Sequence, residues 1–492
     1  MKILSTTLFL FIIVISQAQY STPGTGINWN LDSLVVHSNG AVTSLSSNNY
    51  EINEEIIIAE SDVISEYSAE SILIADNSQI TVFGTLLINN PNSTLVSPLF
   101  IDTFFEGFRF ESGSAGSFKN VNFQYGGGFK VLTGDFVMDS CSVSYFDYLI
   151  TTGAAIEVST GHPMISNSSF FSNARAGISS AANSQVGAVI LNNTFQANNT
   201  SNSNRPQINM GPSGASDTTY ITGNTIIGDP DLDQVGGIAF SSLIGVDGNV
   251  VIQNNTVYDN RYGIAVIGNG INAYIDNNLI YDNNTQGDPM LGGSGINLNS
   301  TSSSFANVFN NTISGNLWGI TVQGNFEVML GDIELLPGHN SFDNNVNDSG
   351  IYALYNNTAN PISAYNNCWI ASADITIEEA EEVIFHQNDD ASLGLVSFDP
   401  MWNCGASIGI EENETLHMIS LFPNPANTLI TIESQSEIES ISIYSLKGQL
   451  IRSQNIPLLV SVKLDISDLD KGFYIVEILS KKDTKHLKFV KE

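Results

Sequence analysis

The chain has 492 residues and a formal net charge of −34, with 16 basic side chains against 50 acidic ones. This charge excludes nucleic acid as a partner, because an acidic surface repels phosphates. It suits a surface that faces salt water and divalent cations. Three cysteines, Cys141, Cys368 and Cys404, are too few for a disulfide scaffold and have no zinc-site spacing.

Residues 1–18 have the features of a secretory signal peptide. Lys2 supplies a positive charge, an apolar run extends to Ile15, and Ser16-Gln17-Ala18 places small residues where a signal peptidase cleaves. The run is too short to span a membrane, so cleavage is expected after Ala18. The residue directly after Ala18 is Gln19 and not the cysteine of a lipoprotein, and no later stretch is long and apolar enough for a transmembrane segment.

One repeat dominates the chain after the N-terminal region. It consists of Asn-Asn-Thr, a hydrophobic anchor, a short polar stretch ending in Asp or Asn, and often Gly-Ile. The anchors are Phe123, Val143, Phe170, Phe195, Ile226, Val257, Ile280, Ile313, Phe342 and Trp369. Their uneven spacing and the abundance of Asn, Ser, Gly, Thr, Val and Ile disfavour helical repeats. We expect short strands that stack at about 4.8 Å per coil and enclose a continuous core.

A second regularity lies two residues before most of the anchors. The position is occupied by Asn193, Asn224, Asn255, Asn278, Asn311, Asn340 and Asn367. Asparagine offers both a donor and an acceptor, so a stack of these side chains can form a hydrogen-bonded ladder. Cys141 stands at the same position, two residues before Val143. Two interpretations remain for it, a small buried substitute in the ladder or a reactive thiol.

The repeats resemble those of the right-handed parallel β-helix proteins of the pectate-lyase-like superfamily, with NosD-type repeats. The resemblance implies an all-β, right-handed parallel β-helix solenoid over residues 46–405, preceded by an N-terminal segment of residues 19–45. It implies no particular activity, because the superfamily contains lyases, hydrolases, esterases, adhesins and proteins without a known activity.

The last coil of the predicted solenoid contains two cysteines. Cys368 lies beside Trp369, and Cys404 follows Trp402 in the closing segment. A disulfide between Cys368 and Cys404 would fasten the last coil, and an exported chain permits one. The alternative is two free thiols.

Beyond a linker at residues 406–418 the composition changes. Only six basic residues lie between Tyr20 and Ile410, whereas nine lie between Glu411 and Glu492. Alternating apolar residues separated by short turns predict a small immunoglobulin-like β-sandwich over residues 419–492.

This segment resembles the type A C-terminal sorting domain of the type IX secretion system of the Bacteroidetes. The motifs that carry the resemblance are Pro423-Asn424-Pro425, the turn at Gly448, Leu469-x-x-Gly472-x-Tyr474, and a lysine-rich last strand. The resemblance implies recognition by the type IX machinery, passage across the outer membrane, removal of the domain, and a final location in the medium or on the cell surface.

Catalytic motifs are missing from the solenoid. Asp389-Asp390 is its one pair of adjacent aspartates, and Gly161-His162-Pro163 breaks the Gly-His-Gly pattern of polygalacturonases. The basic residues Arg109, Lys119, Lys130, Arg175, Arg205 and Arg261 stand in no lyase-like motif. We therefore predict no catalytic residue and no organic cofactor.

Two weaker candidate sites remain. Asp229, Asp231 and Asp233 alternate in one loop and could bind Ca²⁺, although a solvated acidic loop is the alternative. The residues that precede Gly-Ile form a row consisting of Ala176, Gly236, Tyr262, Ser294, Trp318 and Ser349. Tyr262 and Trp318, about 10 Å apart in such a row, could stack on a sugar chain or cover a turn.

The sequence thus favours an exported monomer that binds glycan or mediates adhesion without catalysis. Two alternatives remain open: a lyase or hydrolase acting on an acidic polysaccharide, and a purely structural surface protein.

Overall fold

The structure is a computed structural model that describes residues 19–100, 102–147, 149–333, 336–371, 375–402, 419–422, 424, 426–445, 450–480 and 484–491. The predicted signal peptide, residues 1–18, and the predicted linker, residues 406–418, lie outside the described residues. The chain divides into two compact units, Met1–Cys404 and Gly405–Glu492.

The first unit is a solenoid in which strands of successive coils pair in parallel within one 37-stranded sheet, whereas Val42–Ser46 and Asn49–Ile52 within it form an antiparallel hairpin. The pairings follow three lines, which we name the first, second and third sheets. This confirms the predicted parallel β-helix.

The strands of each sheet are given in chain order. The first sheet contains Gln19–Ser21, Glu55–Ile58, Gln79–Val82, Gly107–Phe110, Phe129–Val131, Ala154–Gly161, Ala176–Val186, Ile208–Met210, Ile238–Ser242, Ile264–Gly268, Ser294–Phe309, Trp318–Gly331, Leu354–Thr358 and Ile384–Phe385. The second sheet contains Asn28–Trp29, Val63–Glu66, Thr85–Pro98, Ala115–Gln124, Asp135–Asp139, Met164–Ser166, Val189–Leu191, Thr218–Thr222, Gly248–Gln253, Ile271–Asp276, Ile362–Ala364 and Val396–Ser397. The third sheet contains Val42–Ser46, Asn49–Ile52, Ser71–Ile74, Ser142–Ser144, Ser169–Phe171, Thr194–Gln196, Thr225–Ile227, Thr256–Tyr258, Leu279–Tyr281, Thr312–Ser314 and Ser341–Asp343.

Several elements depart from this simple order. Ser294–Phe309 and Trp318–Gly331 continue from the first sheet into the second. Thr85–Pro98 and Ala115–Gln124 continue from the second sheet into the third. A separate hairpin pairs Val346–Asn347 with Gly350–Ile351.

The predicted anchors form the core side of the third sheet. Each pairs in register with the anchor of the next coil, from Phe123 to Phe342, and the bridge between Ser341 and Cys368 extends the line to Trp369. None of these side chains is more than 1% exposed. The sequence prediction of one anchor per coil is confirmed.

The asparagine ladder is present, and we name it the corner ladder because it lies between the second and third sheets. In each step one asparagine donates its backbone N–H and its Nδ2 to Oδ1 of the next; between Asn255 and Asn278 these distances are 2.9 and 3.0 Å. The row begins with Cys141 and Ser168, whose side chains are shorter. Cys141 is a free, buried thiol, and burial raises its pKa to about 12.

A second ladder, at the opposite end of the third-sheet strands, was not predicted. It runs through Asn173, Asn198, Gln207, Asn260, Asn283, Asn316 and Asn345. Most of its asparagines lie three residues after an anchor, which is the signal that the sequence offered. All members are buried, so the two ladders satisfy backbone groups at both corners of the third sheet.

The N-terminal end of the solenoid is closed by a short helix and a loop. Helix α1, Leu31–His37, is capped by Asn30 and buries Leu34 against the core. Strand Gln19–Ser21 pairs with Glu55–Ile58, so the segment of residues 19–45 already takes part in the first coil. At the other end helix α2, Ile377–Glu381, buries Ala380.

The second unit is a five-stranded antiparallel sheet with its own core, as expected for a small β domain. Its strands are Ile419–Phe422, Leu429–Ser445, Leu450–Asp465, Gly472–Ser480 and Thr484–Lys491. The bulged strand Leu429–Ser445 pairs with three of the others. Its core includes Ile430, Ile443 and Val476.

Candidate functional site

The outer face of the first sheet carries a row of side chains, one from each coil. In each strand the residue of this row directly follows a residue whose side chain faces the core. Because neighbouring residues of a strand point to opposite faces, this row faces outward. It consists of Lys130, Glu157, Ser179, Asn209, Ala239, Ala265, Asn297, Thr321, Tyr355 and Phe385. The row is charged at one end, small in the middle and aromatic at the other end.

The charged end is organised around Glu157. Its carboxylate accepts hydrogen bonds from Lys130 Nζ and from the backbone N–H groups of Thr152 and Gly153. Burial raises the pKa of Glu157, but the hydrogen bonds from Lys130 and the backbone outweigh burial, so the pKa is lowered. The carboxylate is therefore held ionised.

Three polar groups converge over Gly153. A β-carbon at this position would lie 3.0 Å from Glu157 Oε1, 3.1 Å from Ser179 Oγ and 3.3 Å from Arg205 Nη1. A side chain at this position would require these groups to shift by a few tenths of an ångström. No local sequence pattern marks this cluster, since its members come from three different coils.

Three arginines occupy equivalent positions at the edge of the first sheet. Each arginine lies three residues before an isoleucine of the first sheet that faces the core. The pairs are Arg175 and Ile178, Arg205 and Ile208, and Arg261 and Ile264. With Arg109 and Lys130 on the outer face, five of the six basic residues of the solenoid lie on this sheet. The few basic residues of the solenoid are thus concentrated on this sheet, where Arg109 pairs with Glu111 and Lys130 with Glu157.

Arg261 connects two loops beside the face. It is only 9% exposed, and it donates to Asn204 Oδ1 at 2.6 Å and to the carbonyl oxygen of Leu291. The loop that contains Leu291 also includes Pro289. The carbonyl oxygen of Pro289 accepts a hydrogen bond from Nε1 of Trp318 at 3.0 Å. Arg261 thus helps to fix the loop against which Trp318 is oriented.

The aromatic end is a cluster of four rings, which we name the aromatic cluster. The ring centroid of Trp318 lies 4.8 Å from that of Tyr352 and 5.0 Å from that of Tyr355. Tyr355 stacks on Phe385 at 4.7 Å. All four side chains are half-buried, so each presents part of its ring to solvent.

The register corrects the predicted row at one position. Ile320 pairs with Leu354, which places Tyr352, and not Ser349, beside Trp318. The prediction of Ser349 was wrong because Gly350-Ile351 belongs to the separate hairpin and not to the first sheet.

Tyr262 occupies the predicted row but stays apart from the aromatic cluster. Its coil is separated from that of Trp318 by the coil of Ser294. The ring covers Gly236, where a β-carbon would lie 2.1 Å from the ring. Burial raises the pKa of Tyr262 to about 12, and the positive charge of Arg261 lowers it by a smaller amount.

The predicted calcium loop does not gather its carboxylates. The backbone N–H of Asp231 donates to Asp229 at 3.0 Å, and Asp233 accepts from Asn202 at 2.7 Å. Throughout the described residues, no three acidic, histidine or cysteine side chains form a metal-binding group. Calcium therefore has no support from the geometry of this loop.

The structure describes one of the two cysteines of the predicted disulfide. Cys368 is disulfide-bonded and buried. Its expected partner, Cys404, lies outside the described residues. The pairing stays a prediction, to be checked by peptide mapping without reduction.

In the second unit the sequence motifs have structural roles. Asn424 holds the last strand, because its Nδ2 donates to Lys488 O at 3.0 Å and its Oδ1 accepts from Val490 N at 2.8 Å. Tyr474 donates to the carbonyl oxygen of Asp470 at 2.9 Å and stacks on Phe489. Pro423, Pro425 and Gly448 lie outside the described residues.

The fold and these motifs define a parallel β-helix protein with an appended sorting domain. Residues 420–492 match the family described as the secretion system C-terminal sorting domain. The chain therefore carries a type IX sorting domain, which directs export to the cell surface or the medium and implies interaction with the type IX machinery. No curated protein and no solved structure matches the chain. A search of the described helices for one that could cross a membrane finds none.

Proposed function

We propose that the exported β-helix binds a glycan chain along the outer face of its first sheet and does not cleave it. The observation that carries this proposal is the aromatic cluster. Half-exposed rings of Trp318, Tyr352 and Tyr355 lie within 4.8 to 6.0 Å of each other. Aromatic rings combine a large apolar area with a polar edge, which suits the mixed surface of a sugar.

The remainder of the face supports an extended ligand. In the middle of the outer row Ala239 and Ala265 are small and buried, and the half-buried Asn209 and Asn297 offer amides on either side of them. Coils repeat at about 4.8 Å, so a chain lying along the solenoid axis would meet equivalent positions at regular intervals. Binding along this axis is the geometry that we propose for adhesion to a polysaccharide.

The test is a panel of soluble polysaccharides, measured for binding by affinity electrophoresis. Trp318→Ala and Tyr355→Ala should each weaken binding by roughly two- to tenfold, the range expected for losing one aromatic contact. Tyr67→Ala is the matched control, because Tyr67 is 56% exposed and lies outside the face. Unchanged binding in both cluster variants would remove the first sheet as the site.

Cleavage of a polysaccharide is the second candidate function. The convergence of Glu157, Ser179 and Arg205 over Gly153 favours it, because acid–base chemistry needs such groups side by side. The same panel, assayed for new reducing ends with wild-type protein and with Glu157→Gln, separates the two functions. Release of products that depends on Glu157 would establish an enzyme, whereas binding without products supports the non-catalytic proposal.

A further inference from the structure

A second surface, remote in sequence from the aromatic cluster, has the form of a ligand groove. We name it the corner groove: it lies between the second and third sheets in the N-terminal half of the solenoid and has a volume of about 370 Å³. One side is formed by residues in the left-handed conformation, Ser93, Asn120, Ser140, Asn167 and Asn192. The other side is formed by the outward residues Asn122, Ser142, Ser169 and Thr194.

The base of the groove is the N-terminal end of the corner ladder. From Asn193 onward asparagines fill this row, whereas Ser168, Cys141 and Val121 occupy it in the preceding coils and line the groove. All three are buried, so the groove offers a ligand mainly the outward residues on its two sides.

The lining is uncharged in a chain whose net charge is −34. Lys119 and Asp139 beside it pair with each other at 3.2 Å, and Asp139 also accepts from the groove residue Asn167 at 2.7 Å. Within the described residues, the hydroxyl groups of Ser140, Ser142, Ser169 and Thr194 make no side-chain hydrogen bond. They are free to donate to and accept from a ligand.

An aromatic wall runs beside the groove. Phe104, Tyr125, Tyr145 and Phe171 form a continuous series of ring contacts with centroid distances between 5.1 and 6.1 Å. Tyr125 and Tyr145 are each 40% exposed. Tyr145 follows Ser142 by three residues in the same coil, so the wall stands about 10 Å from the groove.

We infer that the corner groove binds a neutral, hydroxyl-rich oligosaccharide. The four hydroxyl groups without side-chain hydrogen bonds match the donors and acceptors of sugar hydroxyls, and the aromatic wall offers apolar area for the sugar faces. The lining residues themselves carry no charge, so an ionic ligand would lose hydration without gaining a counter-charge from them. The groove spans five coils, about 19 Å from its first row to its last, which accommodates several pyranose rings. The inference is independent of the function proposed for the first sheet.

The test uses the full chain and four neutral probes, cellohexaose, mannohexaose, xylohexaose and maltohexaose, with hexagalacturonate as the charged comparison. Binding is measured by isothermal titration calorimetry. At least one neutral probe should bind, and Tyr145→Ala and Ser169→Arg should weaken it by roughly two- to tenfold or more. In a Trp318→Ala background the loss caused by Ser169→Arg should persist, which separates the groove from the first-sheet face.

Matched controls exist farther along the same rows. Tyr281→Ala removes a ring from the later stack of Tyr281 with Tyr258 on the third sheet, and Thr312→Arg places the same bulk on the outward row of a later coil. Both controls should bind as wild type, and circular dichroism should show that all variants keep the fold. The inference fails if no neutral probe binds at millimolar concentration, if groove variants and controls bind equally, or if hexagalacturonate binds best and depends on Ser169.

Discussion

At the scale of single residues, the two asparagines of each Asn-Asn pair have different roles. Asn277 has a φ of 54°, a left-handed conformation that asparagine tolerates better than most residues. Asn278, the next residue, is 2% exposed. It accepts from Asn255, and its Nδ2 donates to Ile252 O and to Asn311 Oδ1, both at 2.9 Å. The first residue makes the turn and the second satisfies the buried corner.

This division predicts unequal effects of substitution. Asn278→Ala should lower the free energy of unfolding by about 2–4 kcal/mol, because buried donors and acceptors of both neighbouring coils lose their partners. Asn277→Gly should cost less than about 1 kcal/mol, since glycine adopts positive φ readily. Denaturant unfolding of the two variants measures both values. Equal destabilisation would contradict the assigned roles.

Asp62 is a second residue with a defined structural role. Its buried carboxylate accepts four backbone N–H groups from Gly24 to Ile27, at 2.8 to 3.0 Å. Burial raises the pKa of Asp62, but hydrogen bonds from Thr22 and this loop outweigh burial and lower it to about 2. The ionised carboxylate therefore fastens the N-terminal loop to the first coil.

The lowered pKa predicts a pH dependence with a definite sign. The folded pKa is below the ordinary value of 3.8, so the stabilisation is complete above about pH 4 and is lost as pH falls toward 2. Asp62→Asn should remove about 2 kcal/mol at neutral pH and flatten this acid dependence. Hydrogen exchange of the amides from Gly24 to Ile27 measures the effect. Equal acid dependence in wild type and variant would refute it.

At the scale of elements, the coil after Ile226 shows how the fold tolerates an interruption. This coil diverts into the loop that contains Asp229 and provides no asparagine to the second ladder. Gln207, which lies at the start of a first-sheet strand, fills the gap. It accepts from Asn198 and donates to Asn260 Oδ1 at 3.0 Å and to Ile227 O at 2.7 Å.

Gln207 should therefore be as important as a ladder asparagine. Gln207→Met keeps a similar volume but removes both hydrogen-bonding groups, so we expect a loss of about 2–3 kcal/mol. Gln196→Met is a suitable control, because Gln196 is exposed on the neighbouring third-sheet strand. Thermal unfolding of the two variants compares them, and a neutral effect of Gln207→Met would show that the second ladder does not need continuity.

The same elements show what could be read from the sequence. Anchors and corner asparagines were predictable because each recurs once per coil at a fixed offset from the other. Gln207 and Tyr352 were not, because their places depend on pairings across an irregular loop and a hairpin that no local pattern specifies. The cluster over Gly153 was also missed, since it joins Glu157, Ser179 and Arg205 from separate coils through the stacking register.

At the scale of the whole molecule, the two units differ in what they offer to partners. The solenoid is acidic, with its few cations gathered on the first sheet, whereas residues from Glu411 to Glu492 contain nine basic side chains. The second unit has its own sheet and its own core. Recognition for export therefore belongs to the sorting domain, and ligand binding is proposed only for the solenoid.

This separation leads to a prediction for secretion. Deletion of residues 420–492 in the native host should leave the solenoid folded but retained in the periplasm, because the solenoid core contains no residue of the deleted domain. Fractionation with immunoblotting locates the truncated chain, and circular dichroism checks that it remains β-rich.

Asn424→Ala offers a finer test. The substitution removes the hydrogen bonds that join Asn424 to Lys488 and Val490 of the last strand, so export should fall while the solenoid is unchanged. Ser467→Ala is the control on the same domain. Normal export of the truncated chain would contradict the role of the sorting domain, and normal export of Asn424→Ala would show that the machinery does not read the anchored last strand.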